Sequence, residues 1–253
     1  MPAPIWPRND VRQYDDLAGE WWRPGGAFTM LSWIARARAR LIPPAARDGA
    51  VLVDLGCGAG LLAPYVAGKG YSHVGVDLVR SALEQAGTHG VAPIRADVSR
   101  LPFADGCADV VCAGELLEHV TDLPGTVAEA CRILRPGGLL VLDTLNDTML
   151  CRLLVVYLAE RLPRGAPAGL HDPKLFIDPQ VLTDECARHG VGLRIRGLRP
   201  FLADLLCWLA IGRSRGRMRP SRVSAVLYQG VGTFKVPTGN VRTGNGGTRE
   251  GAE

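Results

Sequence analysis

The sequence lacks the features that mark secreted, zinc-stabilised and membrane-spanning proteins. Its seven cysteines are scattered and include no C-x-x-C pair, so we expect reduced thiols rather than disulfides or a zinc site. Residues 1–10 carry no apolar core of signal-peptide length. No run reaches the roughly 18 to 20 apolar residues that a membrane-spanning helix needs. We therefore predict a cytoplasmic protein that is soluble or peripheral to a membrane.

Extremes of composition are also absent. Of the 253 residues, 47% are apolar and 21% are charged, and no segment repeats at a fixed period. The net charge is only +4, but arginines concentrate between residues 188 and 222. These values exclude fibrous and wholly disordered chains and indicate one globular domain with appendages.

Residues 51–60, VLVDLGCGAG, form the stretch around which the chain is organised. A β-branched and leucine-rich run that ends in Asp54 and continues into Gly56, Gly58 and Gly60 predicts a buried strand that turns sharply into a helix. Bare backbone at the glycines leaves room for a ligand. A dinucleotide site would place glycine or alanine where Leu61 stands, so NAD is the less favoured ligand. Such glycine turns also serve packing alone, and that alternative stays open.

The central region then alternates between strand and helix patterns. Such alternation predicts βαβ units and a parallel sheet covered by helices on both faces, with ligands bound beyond the carboxyl ends of the strands. The predicted strands are 50–55, 73–77, 91–95, 108–113 and 139–144, and the predicted helices are 60–68, 79–88 and 121–134.

Acids stand at the ends of these strands. Asp77 closes the second strand, about 20 residues after the glycine loop, where a carboxylate can accept both hydroxyls of a ribose. Asp97 ends the third strand, where it could accept a hydrogen bond from an adenine amino group. Either acid alone could be a helix cap or a solvated loop residue. Their register with Asp54 and the glycines favours a nucleoside site.

Further motifs follow the fourth and fifth predicted strands. They are Glu115-Leu116-Leu117-Glu118-His119-Val120, Thr144-Leu145-Asn146, Gly169-Leu170-His171-Asp172 and Phe176-Ile177-Asp178-Pro179, with Trp21-Trp22 upstream. With the glycine loop and the strand-end acids, they make the chain resemble the class I S-adenosylmethionine-dependent methyltransferases, and within them the ubiquinone-biosynthesis O-methyltransferases of the UbiG type. The resemblance covers roughly residues 12–200 and implies a Rossmann-like α/β fold with a mostly parallel seven-stranded sheet.

The resemblance implies S-adenosylmethionine as the cofactor. It places Arg38 at the methionine carboxylate, the three glycines at the methionine portion, Asp77 at the ribose and Asp97 at the adenine. Without the resemblance, Arg38 is explained equally well as a solvent-exposed charge on a helix. The expected cofactor-binding residues are Arg38, Asp54, Gly56, Gly58, Gly60, Asp77, Leu78, Asp97, Val98 and Glu115.

A divalent metal is the second expected cofactor. If a helix begins at Glu115, the spacing to Glu118 and His119 places all three side chains on one face, and Asn146 could add a carbonyl ligand. This donor set suits Mg²⁺, Mn²⁺ or Zn²⁺, which would stabilise a phenolate. The resemblance associates the motif with such a metal. Alternatively, Glu118 and His119 only cap and solvate a surface turn.

Two histidines, His119 and His171, are the candidate catalytic residues. His171 could accept the phenolic proton directly. A lone histidine in a loop is otherwise a structural hydrogen-bonding group, and this alternative stays open.

Two apolar stretches lie outside the strand-and-helix pattern. Residues 149–162 and 201–211 are predicted apolar helices, and the second is followed by the arginine-rich run 213–222. An apolar helix beside a cationic run suits the surface of an anionic membrane at the inner face. A substrate lid or a dimer contact explains the stretches equally well. Nucleic-acid binding is not expected, because no aromatic residues interleave the basic run.

The predicted layout has three parts. Residues 1–44 form a helical cap, residues 45–236 form the methyltransferase domain with insertions near 147–170 and 201–222, and residues 237–253 form a disordered tail. Residues 223–236 would supply a final strand.

The predicted function is methyl transfer to a hydroxyl of a polyhydroxylated aromatic or quinone precursor, with or without a lipid tail. One alternative is a metal-independent enzyme that methylates an oxygen or nitrogen of a small natural product. The other is a membrane-associated protein that binds S-adenosylmethionine without turnover.

Overall fold

The computed structural model describes residues 6–162 and 165–235, so the predicted tail, 237–253, lies outside the described residues. Its centre is one eight-stranded sheet. The strands are β1 Val51–Leu55, β2 Ser72–Asp77, β3 Ala92–Arg95, β4 Ala108–Gly114, β5 Leu134–Leu145, β6 Val191–Pro200, β7 Met218–Ser221 and β8 Leu227–Phe234.

The strands lie in the order β3-β2-β1-β4-β5-β8-β6-β7. The first five pair in parallel, whereas β8 runs antiparallel to both β5 and β6. The predicted α/β fold with a mostly parallel sheet is thus confirmed, with eight strands instead of seven. The additional strand is β7, which lies in the arginine-rich run and pairs antiparallel with the end of β6. Its short length and Pro220 are typical of an edge strand.

Helices cover both faces of the sheet, as the alternating pattern predicts. The helices are α1 Arg12–Asp16, α2 Thr29–Ala39, α3 Ala63–Val66, α4 Arg80–Thr88, α5 Leu123–Arg132, α6 Met149–Cys151, α7 Pro179–Arg188 and α8 Leu202–Ile211. A π-helix, Arg152–Leu158, and a 3₁₀ turn, Ala159–Arg161, continue α6.

The predicted helix 121–134 is present as α5, but no helix begins at Glu115, which is the condition that the one-face arrangement required. After β4 the chain forms only a 3₁₀ turn, Leu117–His119, and Glu115 lies outside it with a left-handed φ of 51°. The α-helix begins later, where Asp122 accepts a hydrogen bond from the backbone N–H of Gly125. Because a 3₁₀ turn has about three residues per turn, Glu118 and His119 point about 120° apart.

Residues 6–44 of the N-terminal cap and the segments 149–162 and 165–171 lie over the carboxyl ends of the strands. Trp33 of α2 packs edge-to-face against Trp208 of α8, with ring centroids 5.5 Å apart. Both belong to an apolar cluster with Cys151 and Val156 of the segment after β5. Within the described ranges, no helix has the length and hydropathy required to cross a bilayer.

Candidate active site

A cavity of about 720 Å³ opens beyond the carboxyl ends of β1, β2 and β4. Its walls come from the glycine loop, the strand-end acids, the described part of the N-terminal cap and the segments 149–162 and 165–171. The predicted cofactor residues that line it are Arg38, Asp54, Gly56, Gly58, Asp77, Leu78, Asp97, Val98 and Glu115. Gly60 is not among the lining residues, because it packs against Ala86 and Val91 instead.

The glycine loop has backbone conformations that favour glycine. Gly56 and Gly58 have φ values of 63° and 51°. A Cβ at Gly56 would stand 2.7 Å from Leu116, and one at Gly58 would stand 2.6 Å from the indole of Trp21. The loop is therefore shaped both by left-handed turns and by close approach of neighbouring side chains.

Asp77 is fixed by the backbone of the turns around it. Its carboxylate accepts hydrogen bonds from the backbone N–H of Gly58 (2.8 Å) and of Val79 (2.9 Å). Burial raises the pKa of Asp77, against the effect of these hydrogen bonds. Each oxygen retains a second lone pair, so the side chain can still accept ribose hydroxyls.

Asp97 is held by a local turn. Its Oδ1 accepts hydrogen bonds from the backbone N–H and the hydroxyl of Ser99, both at 2.8 Å. These hydrogen bonds lower the pKa of Asp97. Both bonds end on Oδ1, so Oδ2 can accept from an amino group in the cavity.

Arg38 projects from α2 into the space above Gly114. Its Nη1 donates to Oδ1 of Asp143 at 3.2 Å, and an added Cβ at Gly114 would stand 0.5 Å from that nitrogen. Burial lowers the pKa of Arg38, but the attraction of Asp143 and Asp54 outweighs it and the net shift is upward. Nε has no hydrogen-bond partner among the described residues. A charged guanidinium with free donors can bind a carboxylate.

Glu115 lines the cavity and, like Asn9, has a left-handed backbone although it is not a glycine. Such a conformation costs on the order of 1–3 kcal/mol and is typical of functional sites. Burial, followed by the nearby Glu118 carboxylate, raises the pKa of Glu115 well above its usual range. Its Oε1 has no hydrogen-bond partner in the described part of the chain.

His119 is engaged through both ring nitrogens. Asn9 donates through Nδ2 to the carbonyl oxygen of His119 at 2.9 Å. This fixes the orientation of the Asn9 amide, so Asn9 Oδ1 accepts the proton of His119 Nδ1 at 2.6 Å. The Tyr14 hydroxyl lies 3.4 Å from Nε2. Burial and the neighbouring His171 lower the pKa of His119 to about 3, so the ring is neutral.

The four predicted metal ligands do not form one site in this arrangement. Across residues 6–162 and 165–235, no group of three or more His, Cys, Asp or Glu side chains is placed to hold an ion. His119, turned towards Asn9 and Tyr14, does not join the carboxylates. The prediction that it is a metal ligand is not supported here.

The other three predicted ligands retain free oxygen atoms. Glu118 accepts a hydrogen bond from Thr144 through Oε2 (2.6 Å), and Asn146 donates through Nδ2 to Ser224 (2.7 Å). Within the described residues, Glu118 Oε1, Asn146 Oδ1 and Glu115 Oε1 are buried without partners. Buried acceptors without donors are what a hard cation would satisfy, so these oxygens fit such an ion by type.

His171 lines the cavity, as a catalytic residue would require. Its ring stacks on His119 with centroids 5.4 Å apart, and its Nδ1 lies 3.8 Å from Oε1 of Glu160. Sequence analysis missed Glu160 and also Asn9 and Tyr14. The sequence offers little signal for them, since Glu160 stands in an apolar run and the other two lie over 100 residues from His119.

Comparison with known proteins identifies the family of this chain. A family model described as "Methyltransferase domain" matches residues 53–142. A ubiquinone biosynthesis O-methyltransferase of Caulobacter vibrioides is 34% identical over 216 residues, covering 76% of this chain and 85% of that protein. A protein of the same name from Thiobacillus denitrificans is 35% identical over 190 residues, covering 72% and 82%.

Solved structures support the fold alone, because their sequence identities are low. A SAM-dependent methyltransferase of Thermotoga maritima superposes with a TM-score of 0.60 at 17% identity, covering 89% of this chain and 96% of that chain. An S-adenosylmethionine-dependent methyltransferase of Mesorhizobium loti gives 0.52 at 21% identity, covering 78% and 95%. The sequence relatives and the family model show that the chain belongs to the ubiquinone-biosynthesis O-methyltransferase family and is an S-adenosylmethionine-dependent methyltransferase.

Proposed function

We propose that this enzyme methylates a hydroxyl of an aromatic or quinone-like acceptor that carries an apolar tail. The observation that carries the proposal is the continuity of the cavity, which runs from the strand-end acids to a region lined mainly by apolar side chains. Leu154, Leu158, Leu205, Trp208 and Met218 line that apolar region. The names of the relatives agree with a quinone precursor as the acceptor.

The cofactor, when bound, supplies an electrophilic methyl group on a sulfonium. Asp77 and Asp97 hold the nucleoside and Arg38 holds the carboxylate, so the chain fixes the methyl group in one direction. His171 takes the proton of the acceptor hydroxyl. The apolar walls exclude water from the reacting atoms.

Access from a membrane is part of the proposal. Segment 149–162 and helix α8 expose large apolar side chains, including Met149, Tyr157 and Leu202 at 79%, 58% and 65%. Exposed arginines follow α8 at positions 213, 215, 217, 219 and 222. Leu154 and Leu158 are exposed and also line the cavity, so a single layer of side chains separates the cavity from the protein surface there. An anionic bilayer complements this combination, and a tailed acceptor could enter from it.

Substituting Leu205, which lines the apolar region, should weaken tail binding selectively. We expect Leu205→Asn to raise KM for a tailed catechol roughly tenfold, because a polar amide is placed against the tail. KM for the same catechol without a tail should change less than about twofold. Labelled methyl transfer from S-adenosylmethionine measures both values.

The matched control is Leu202→Asn in the same helix, because Leu202 is exposed and not among the cavity-lining residues. It should leave both KM values unchanged in solution and reduce co-sedimentation with phosphatidylglycerol vesicles. If the unmodified enzyme has the same KM for tailed and tail-less acceptors, the proposal that the cavity binds an apolar tail is contradicted. Loss of dimer instead of vesicle binding would assign the apolar surface to a second copy.

We also propose that a divalent cation assists, held by the free oxygens of Glu115, Glu118 and Asn146. When bound, it would stabilise the phenolate of the acceptor. Methyl transfer should fall at least roughly tenfold in EDTA and return with Mg²⁺. Mn²⁺ binding, followed by electron paramagnetic resonance, gives a readout independent of turnover.

Glu118→Gln should abolish Mn²⁺ binding, whereas Glu84→Gln on the exposed face of α4 should not. Full activity in EDTA together with no Mn²⁺ binding would contradict the cation. Those results would favour the metal-independent alternative.

A further inference from the structure

Glu160 is a buried carboxylate to which the reaction described above gives no role. Its side chain is only 4% exposed. Arg8 donates to both of its oxygens at 3.1 Å, and the backbone N–H of Gly169 donates to Oε2 at 3.1 Å. A charged group this well hydrogen-bonded has a fixed position.

The same arginine also holds the backbone of His171. Arg8 Nη1 donates to the carbonyl oxygen of His171 at 2.8 Å, so the histidine and Glu160 share one clamp. The carboxylate Oε1 lies 3.8 Å from His171 Nδ1, and no closer partner of that nitrogen is found among the described residues. His119 and Phe176 pack around the ring.

The charge of Glu160 is secure despite its burial. Burial raises its pKa, but His171, Arg8 and the Gly169 N–H together outweigh burial and hold the pKa at about 2. An anion beside Nδ1 favours the tautomer that carries its proton there. The lone pair then lies on Nε2, the nitrogen on the far side of the ring from Glu160.

We propose that Glu160 is a positioning residue that holds His171 with its Nδ1 proton towards Glu160 and its Nε2 lone pair available to the acceptor. Arg8 fixes Glu160 for this task. The proposal rests on the proposed function, in which His171 receives the acceptor's proton. As the new O–C bond forms, the S–C bond breaks with its electron pair left on sulfur, and the hydroxyl proton passes to Nε2. The protonated ring is stabilised by Glu160 and releases its proton to water.

The test is Glu160→Gln, which preserves shape and removes the charge. We expect kcat to fall roughly 100-fold, with KM for the acceptor changed less than about twofold, because the carboxylate acts through His171 and does not touch the acceptor. The ¹⁵N shifts of the His171 ring should move away from the Nδ1-protonated pattern. Glu160→Asp should restore part of kcat.

Two further variants separate this role from a merely structural one. Arg8→Gln removes the side chain that holds Glu160 but does not replace Glu160 itself, and it should produce the same change in the His171 tautomer. This variant tests the proposal if Glu160→Gln does not fold. Glu84→Gln, which removes an exposed ion pair with Arg80, should change neither kcat nor the ¹⁵N shifts. An unaltered His171 tautomer in a folded Glu160→Gln protein would overturn the proposal. Absence of methyl transfer in the unmodified enzyme would instead reject the proposed function, while the ¹⁵N measurement would still decide the tautomer.

Discussion

Replacing Gly58 by alanine is expected to weaken S-adenosylmethionine binding by more than roughly tenfold. Gly58 has a φ of 51°, and a left-handed conformation costs an alanine about 1–2 kcal/mol. The added Cβ would also stand 2.6 Å from the Trp21 indole. That indole stacks on Phe28 with centroids 4.0 Å apart, so it has little freedom to move. Isothermal titration calorimetry with S-adenosylmethionine measures the loss.

Gly49→Ala is the matched control for the backbone cost. Gly49 has a φ of 65°, but an added Cβ would meet nothing within 4 Å. The two variants therefore share the left-handed conformation and differ in the contact with Trp21 and the cavity. Gly49→Ala should lose some stability and retain cofactor affinity within about twofold. Similar affinities for both variants would show that the glycine loop does not bind the cofactor.

Replacing Arg38 by methionine is expected to cost about 3–5 kcal/mol of unfolding free energy, because it leaves Asp143 buried without its partner. The two side chains are 8% and 0% exposed. Urea unfolding followed by circular dichroism measures the loss. Cofactor affinity should fall as well, since the guanidinium is the proposed ligand of the methionine carboxylate.

The double variant Arg38→Met/Asp143→Asn should recover most of the stability, because the carboxylate that pairs directly with Arg38 is removed with it. It should not recover cofactor affinity. Arg47→Met removes one of two arginines that contact Asp109; Arg47 is 49% exposed, and Arg135 remains beside the carboxylate. This substitution should cost less than about 1 kcal/mol. Equal losses for Arg38→Met and Arg47→Met would contradict the assigned energy of the buried pair.

Position relative to a strand end explains which site residues could be predicted. Asp54, Asp77 and Asp97 lie at or just beyond the carboxyl ends of parallel strands. Parallel strands bring these ends to one edge of the sheet, so spacing along the chain sufficed to place the three acids at the cavity. The same reasoning failed after β4. Glu115 adopts a left-handed backbone and a 3₁₀ turn follows it, so helical spacing did not apply to Glu118 and His119.

Contacts between distant parts of the chain explain most of what was missed. Arg8 meets Glu160 across 152 residues, and neither side chain belongs to a motif. Strand β7 was not predicted within the arginine-rich run, because arginines and Pro220 are unfavourable in a central strand. At the edge, where β7 pairs only with β6, those residues are acceptable.

Trp21 packs against the glycine loop from outside the region that the family model matches, and this affects where the domain can be truncated. Trp22 donates through Nε1 to the carbonyl oxygen of Ala59, and Asn9, Val11 and Tyr14 also line the cavity. The region that the family model recognises, residues 53–142, contains none of these side chains. The unit that lines the cavity is therefore longer than the unit that carries the sequence signature. A fragment limited to residues 53–142 would keep the glycine loop and the strand-end acids, but it would lose the N-terminal side chains that cover them.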